Sequence, residues 1–403
     1  MVVRVVIVDD SAFFRQRIAD LLGSDKRIDV VGTASNGREG IEQVKRLQPD
    51  VVTMDVEMPQ LNGIEAVRII MRECPAKVLM LSSLTQEGAR VTLQALEAGA
   101  VDYLSKDMRA WMDRSHSLQS QLTDKIVMIA RQGRAISPFS TRADAGQSSK
   151  SMVFRPDGSA RVADTPSRVS LERRTPAPAP KITARSSAVG AETVHARPAH
   201  YSASRGVSSR APVVPRDTRL VVIGSSTGGP AALQEILTQL PADFPYPILL
   251  IQHMPKTFTS VFAERLNQQC AISVKEAEDG DRLKPGLALL APGGHQLMVD
   301  GKVHDKINIL PGDDRLTYKP SVDVTYGSAS KTYGSRVLAI ILTGMGADGA
   351  DGARLLKQAG ATIWAQSKDS CTIFGMPQAV IKGGYADEIL DLGQFGPILG
   401  GKR

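Results

Sequence analysis

The sequence predicts an α/β protein made of two doubly wound parallel-sheet domains joined by a long disordered linker. Short apolar runs alternate with amphipathic stretches through residues 1–131, a Ser-, Ala-, Arg-, Pro- and Thr-rich segment fills 132–217, and the alternation resumes over 218–400. In the first domain Val2–Val8, Ile28–Thr33, Val51–Met54, Val78–Leu81 and Val101–Leu104 read as strands. Each is followed by a helix, at Ala12–Leu22, Gly37–Leu47, Ile64–Arg72, Gly88–Ala98 and about Leu118–Ile129. The middle segment loses apolar periodicity and contains the Pro-rich run Thr175-Pro-Ala-Pro-Ala-Pro180, the composition of a flexible tether. Beyond it, strands are expected at Leu220–Ile223, Ile248–Ile251, Leu287–Leu290, Val337–Leu342 and Thr362–Ala365.

With 403 residues, 42% of them hydrophobic, the chain has room for two or three soluble domains. No stretch reaches the ~20 apolar residues of a spanning helix, so no membrane insertion is expected. The opening Met1-Val-Val-Arg-Val-Val-Ile-Val-Asp-Asp is too short and ends too acidically for a secretory signal, so a cytoplasmic location is expected. Cys74, Cys270 and Cys371 are odd in number and far apart, and point to neither a disulfide framework nor a C-x-x-C metal pair. The net charge of +7 raises the question of nucleic acid. Residues Thr141–Asp217 hold 13 Lys and Arg against 6 Asp and Glu, which is the whole excess, and the rest balances at 36 of each sign. The linker also lacks the aromatic-basic interleaving used on single strands, so no nucleic-acid partner is expected.

In a doubly wound sheet, functional groups gather beyond the carboxyl ends of the strands. Those ends in the first domain carry Asp9 and Asp10, then Asp55, then Ser82 and Ser83, then Lys106. Helix capping accounts for any one acidic residue there. It does not predict a hydroxyl and a lysine at the fourth and fifth ends. Three carboxylates beside one ammonium repel one another, and a hard divalent ion relieves this; Mg²⁺ suits Asp9, Asp10 and Asp55 together with a phosphoryl group. With the turn Met54-Asp55-x-x-Met58-Pro59-x-x-Asn62-Gly63, Ser82, Tyr103 and Lys106 in place, residues 1–131 resemble the receiver domain of two-component response regulators. The resemblance implies a flavodoxin-like fold, phosphorylation of Asp55 by a histidine kinase, Mg²⁺ on Asp9, Asp10 and Asp55, and switch roles for Ser82, Tyr103 and Lys106. Asp107 stands where that family usually has proline, so the following loop is expected to differ in shape.

The second domain opens with Leu220-Val-Val-Ile-Gly-Ser-Ser-Thr-Gly-Gly-Pro230, an apolar strand that stops at a G-x-S-x-G turn. No lysine follows Gly229, and Gly224-Ser225-Ser226 cannot begin a G-x-G-x-x-G pattern, which argues against reading this turn as a P-loop or a dinucleotide loop. Glycines on either side of Ser226 clear the approach to a serine nucleophile; a Gly-rich turn without chemistry is the alternative. Such a serine needs a base, held in one tautomer by a third group. His253 ends the next strand, His295 follows a later strand behind a glycine pair and reads as a loop residue, and His304 sits among charged residues. In the Gly-rich turn after Val337–Leu342, Asp348 is the candidate third group and Asp351 its rival. These choices stay open on spacing alone. The order Ser, His, Asp also departs from the Ser, Asp, His of α/β-hydrolases.

Five stretches in register resemble the catalytic domain of the chemotaxis protein-glutamate methylesterases: Ile223–Gly229, Gln252-His253-Met254-Pro255, Ala291-Pro-Gly-Gly294, Leu342–Gly349 and Phe374-Gly-Met-Pro377. The resemblance implies a Rossmann-like domain with Ser226 as nucleophile, His253 as base and later acid, and Asp348 as the group orienting the imidazole. It also implies an oxyanion hole of backbone N–H groups around Thr227, Met345 and Gly346, with the Thr227 hydroxyl steadying His253. The implied reaction is hydrolysis of glutamate γ-methyl esters on methyl-accepting chemotaxis receptors, with glutamine deamidation as a second activity and no cofactor for ester hydrolysis. A chemotaxis histidine kinase is implied as phosphoryl donor, and the active site is expected to be covered until Asp55 is phosphorylated.

Overall fold

Strands and helices alternate through the first domain as expected in the computed structural model, which describes residues 2–108, 111, 116–131, 212–313 and 315–401. The linker expected over 132–217 lies outside the described residues as far as position 211. Strands β1 (Val3–Val8), β2 (Ile28–Ala34), β3 (Val51–Asp55), β4 (Lys77–Ser82) and β5 (Asp102–Ser105) form one parallel sheet in the order β2-β1-β3-β4-β5. The helices are α1 (Ala12–Gly23), α2 (Gly37–Leu47), α3 (Gly63–Glu73), α4 (Gln86–Glu97) and α5 (His116–Arg131). Strand order reverses between β1 and β3, so the ends carrying Asp9 and Asp55 open onto one crevice. The side chains of Ser11, Asn36, Asn62 and Thr85 each accept a hydrogen bond from the backbone N–H three residues on, which starts α1 to α4. Thr85 is the reason α4 begins before the Gly88 start read from periodicity.

The second domain contains, in chain order, β6 (Leu220–Ser225), β7 (Ile248–Gln252), β8 (Ser273–Glu276), β9 (Leu287–Leu290), β10 (His295–Val299), β11 (Ile307–Pro311), β12 (Val337–Ile341), β13 (Thr362–Gln366) and β14 (Glu388–Leu390). Seven of them form a parallel sheet, β14-β13-β12-β6-β7-β9-β8, while β10 and β11 make a separate antiparallel hairpin. The helices are α6 (Gly229–Leu237), α7 (Lys256–Gln269), α8 (Val322–Tyr333), α9 (Ala350–Gln358), α10 (Met376–Lys382) and α11 (Leu392–Leu399). Strands β6, β7 and β12 are buried along their whole length, which is why they read as unbroken aliphatic runs. Their alternate side chains divide between two layers. Val221, Ile223, Leu250 and Ile340 pack with Leu233 and Phe258; Leu220, Val222, Ile251 and Ile341 pack with Tyr326 and Leu356.

Four strands were not expected. Strands β8 and β14 are short, partly polar edges, and edge strands bury too little to show an apolar run. The hairpin lacks the two-residue turn that would reveal it from sequence. His295, read as a loop residue, is the first residue of β10 and pairs with Pro311.

The two domains pack together through α4 and α7, with Glu97 of α4 bonded to Arg265 of α7. Tyr103 stacks flat on Phe258, ring centroids 4.5 Å apart and planes 2° apart. Leu93, Leu96 and Tyr103 share one apolar cluster with Phe258, Val261 and Phe262 across this boundary. Among the described residues no helix is long and apolar enough to cross a membrane.

Candidate functional site

At the carboxyl edge of the first sheet, carboxylate oxygens of Asp9, Asp10 and Asp55 lie within 4.8 Å of one another. Asp9 and Asp55 are buried and Asp10 is exposed. Lys106 Nζ lies 2.7 Å from both Asp9 Oδ2 and Asp55 Oδ2, and over the Phe14 ring at 4.4 Å. Burial pushes the Asp55 carboxyl up to about 6, against the opposing charge and hydrogen bond of Lys106. Burial raises Asp9 in the same way. An all-oxygen set of this kind fits a hard divalent cation such as Mg²⁺.

Of the expected switch residues, Lys106 faces the carboxylates while Ser82 and Tyr103 engage other groups. Ser82 Oγ donates to Gly88 O in α4 at 3.1 Å, and Tyr103 lies against Phe258 of the second domain. After Lys106 the chain turns at once into a helical bend, with Trp111 N donating to Asp107 O at 2.9 Å. A residue with ordinary backbone freedom at position 107 therefore sits at the start of a helical turn.

In the second sheet β6 is flanked by β7 on one side and β12 on the other. Ser226 follows β6, His253 follows β7, and Asp348 lies in the turn after β12, so three adjacent strand ends deliver the three residues. Registers Ser225 to Gln252 and Gly224 to Ile341 place the strand ends level. His253 Nε2 is 2.7 Å from Asp348 Oδ2, while His253 Nδ1 is buried without a hydrogen-bond partner. Ser226 is half-buried beside them, and its N–H donates to Thr343 O at 3.0 Å. Among the described residues no hydrogen bond joins Ser226 Oγ to His253, which is common before a substrate tightens such a site. The left-handed turn is made by Gly228, φ 76°, rather than by the serine itself. At Gly344 a Cβ would lie 2.9 Å from Ser226 Cβ and 2.2 Å from Met376 Sδ, so any side chain there would displace the serine.

Asp348 is held on every side. It accepts from Ser321 Oγ (2.9 Å), Val322 N (2.8 Å) and Asp323 N (3.0 Å) as well as from His253. Burial pushes its carboxyl up, but the His253 hydrogen bond and charge and the N–H groups at the start of α8 outweigh it, leaving it below the ordinary value. A carboxylate accepting from Nε2–H fixes the tautomer and leaves Nδ1 as the basic nitrogen.

The other candidates make their contacts elsewhere. His295 Nδ1 is 3.2 Å from Gly293 O, and exposed His304 accepts from Tyr333 Oη through its carbonyl. Asp351 is exposed and faces Arg354 at 3.8 Å. One expectation is corrected: the Thr227 hydroxyl does not bond His253 but donates to Asp102 Oδ2 of the first domain at 2.7 Å. Asp102 also pairs with Lys125. Met345 and Gly346 lie in the turn beside Ser226, and among the described residues the N–H groups of Thr227 and Met345 have no partner.

Sequence reading missed four supporting residues. Gln252 accepts from Ser225 Oγ and donates to the carbonyls of Ser226 and His253, clamping both turns. Thr343 Oγ1 donates to Thr227 O at 2.9 Å and accepts from Ile373 N at 2.8 Å. Both stood inside motifs but carried no chemical signal of their own. Ser321 and Asp323 could be read as a helix start, yet nothing in their spacing connects them to Asp348.

The family model "CheB methylesterase" matches residues 221–399, and that of the "Response regulator receiver domain" matches 5–111. Protein-glutamate methylesterase/protein-glutamine glutaminase 3 of Pseudomonas syringae pv. syringae (strain B728a) is 52% identical over 396 residues, covering 98% of each chain. Protein-glutamate methylesterase/protein-glutamine glutaminase 1 of Pseudomonas aeruginosa has the same identity and coverage. The Thermotoga maritima CheB methylesterase catalytic domain is 43% identical, covering 45% of this chain and 97% of its own, with a TM-score of 0.43. A receiver domain, a CheB methylesterase domain and end-to-end similarity at this level make the chain a member of the protein-glutamate methylesterase/protein-glutamine glutaminase family.

Proposed function

We propose that this protein is a phosphorylation-controlled serine hydrolase that removes γ-methyl esters from glutamates of methyl-accepting chemotaxis receptors in the cytoplasm, with glutamine side-chain amides as a second substrate. The observation that carries this reading is the asymmetric use of His253: Nε2 is engaged by a saturated, ionised Asp348, and Nδ1 is left as a base. Ser226 Oγ attacks the ester carbonyl as Nδ1 takes its proton. The tetrahedral oxyanion receives the N–H groups of Thr227 and Met345, each donor typically worth ~10²–10³ in rate. The imidazolium returns the proton to the departing methoxide, methanol leaves, and water repeats the cycle on the acyl-enzyme.

Control is read from what the first domain touches. Asp102 engages Thr227, the residue after the proposed nucleophile, and Ile373 and half-buried Met345 pack with Trp111, Leu118 and Leu122. A phosphoryl group on Asp55, donated by a chemotaxis histidine kinase, adds close to two negative charges. Asp9, Asp10 and Asp55 would hold Mg²⁺, which would supply charge neutralisation for the phosphoryl oxygens. Ser82 and Lys106 turn to that group, Ser82 leaves Gly88 in α4, and the α4–α7 packing loosens with the Tyr103–Phe258 stack. Thr227 is then released.

The test is methanol release from methylated receptor membranes. Ser226→Ala is expected to abolish it with an unchanged circular dichroism melt; turnover by this variant removes the nucleophile assignment.

A further inference from the structure

Tyr318 lies face to face with His253, ring centroids 4.3 Å apart and planes 10° apart. It comes from the segment between β11 and α8, far in sequence from every motif that identifies the site. Its backbone is fixed by Gln296, whose Nε2 donates to Tyr318 O at 2.8 Å while its Oε1 accepts from Ser321 N at 2.8 Å. The same glutamine thus ties the tyrosine to the residue whose hydroxyl holds Asp348. At its far end the phenol crosses Gly346, φ 89°, where a Cβ would come within 2.5 Å of Tyr318 Oη. Only glycine leaves space for the ring to lie there.

An imidazole tied through Nε2 alone can rock about that bond, because Nδ1 has no partner to stop it. A parallel ring on its face removes that freedom. It also offers a π face to the cation formed when the base takes a proton. We infer that Tyr318 is a positioning residue for this reaction: its ring, rather than its hydroxyl, sets the plane of His253 so that Nδ1 is presented to Ser226, and it screens the imidazole from water.

The inference rests on His253 serving as base, and the test separates the two. Turnover of methylated receptor and the rate of His253 modification by diethyl pyrocarbonate, located by mass spectrometry, are measured for the full chain in wild type, Tyr318→Phe, Tyr318→Leu and Ser226→Ala. With the ring lost, Tyr318→Leu is expected to lower kcat about tenfold with KM within about twofold, and to speed His253 modification several-fold. Tyr318→Phe keeps the ring and is expected to restore both to within about twofold of wild type. Tyr318→Asn gives the same comparison if the leucine variant unfolds. Full turnover and unaltered labelling in the ring-less variants, beside an inactive Ser226→Ala, overturn the role of Tyr318 alone. Equal losses in Tyr318→Phe and Tyr318→Leu overturn it in favour of the hydroxyl. Turnover by Ser226→Ala sinks the underlying reading instead.

Discussion

The carboxylates of Asp323 and Asp348 each sit at the start of the other's helix. Asp348 accepts from the Val322 and Asp323 N–H groups that open α8, and Asp323 accepts from Gly349 N (3.0 Å) and Gly352 N (2.7 Å) at the start of α9. Each helix dipole is therefore met by an anion supplied from the other segment. The two acids do not share the benefit equally. Burial and the neighbouring Asp348 charge push Asp323 up to about 6, with the Gly352 N–H opposing, whereas Asp348 is held below its ordinary value. The carboxylate that faces His253 is the more readily ionised of the two.

From this follows the effect of Asp348→Asn. The amide oxygen can still accept from α8, so the fold is expected to survive. Its NH₂ group facing Nε2 would force the imidazole proton onto Nδ1, the nitrogen proposed as the base. Turnover is expected to fall by ~10³–10⁴, with the urea midpoint little changed. A loss below tenfold in steady-state methanol release would show that the tautomer is set by something else.

Asp102→Ala tests the contact with Thr227. A buried hydrogen bond to a charged acceptor is worth ~1.5–3 kcal/mol, so removing it shifts a closed domain arrangement by roughly tenfold or more. Basal turnover without a phosphoryl donor is expected to rise several-fold, and a small-molecule phosphodonor should add less than it does in wild type. Unchanged basal turnover would show that Thr227 is not part of the restraint.

Asp55 gives a pH-dependent prediction whose sign follows from burial. Its folded value, about 6, lies above that of an unfolded carboxyl, so its contribution to stability is full below about pH 4 and is lost as pH rises through 6. Asp55→Asn removes the charge. Without divalent ions the variant is expected to melt ~2–4 °C above wild type at pH 7, with the gap closing at pH 4. Mg²⁺ should raise the melting temperature of wild type but not of the variant. A gap independent of pH, followed by differential scanning calorimetry, would contradict the assignment.

The legibility of the fold tracks burial. Strands β6, β7 and β12, covered on both faces, are continuous aliphatic runs, and their bounds were readable to within one or two residues. Edge strands β8 and β14 have no such constraint and were missed. The site divides in the same way. Asp9, Lys106, Ser226 and His253 stand directly after strands, Asp55 ends β3 and Asp348 lies in the turn after β12, where a parallel sheet gathers functional groups, and these candidates were legible for that reason.

By itself the sequence determined the two α/β domains and the family they belong to, and it marked the strand ends that carry the candidate residues, because local periodicity and motif spacing are properties of contiguous chain. Tertiary structure alone decided which imidazole nitrogen meets Asp348, that Thr227 answers to Asp102 and not to His253, and that Tyr318 stacks on the His253 ring. Those contacts join residues 95, 125 and 65 positions apart, respectively, and no local propensity encodes which of many compatible partners a side chain meets. The choice is made by the packing of α4 on α7 and of the β11–α8 segment, through Tyr318, on His253.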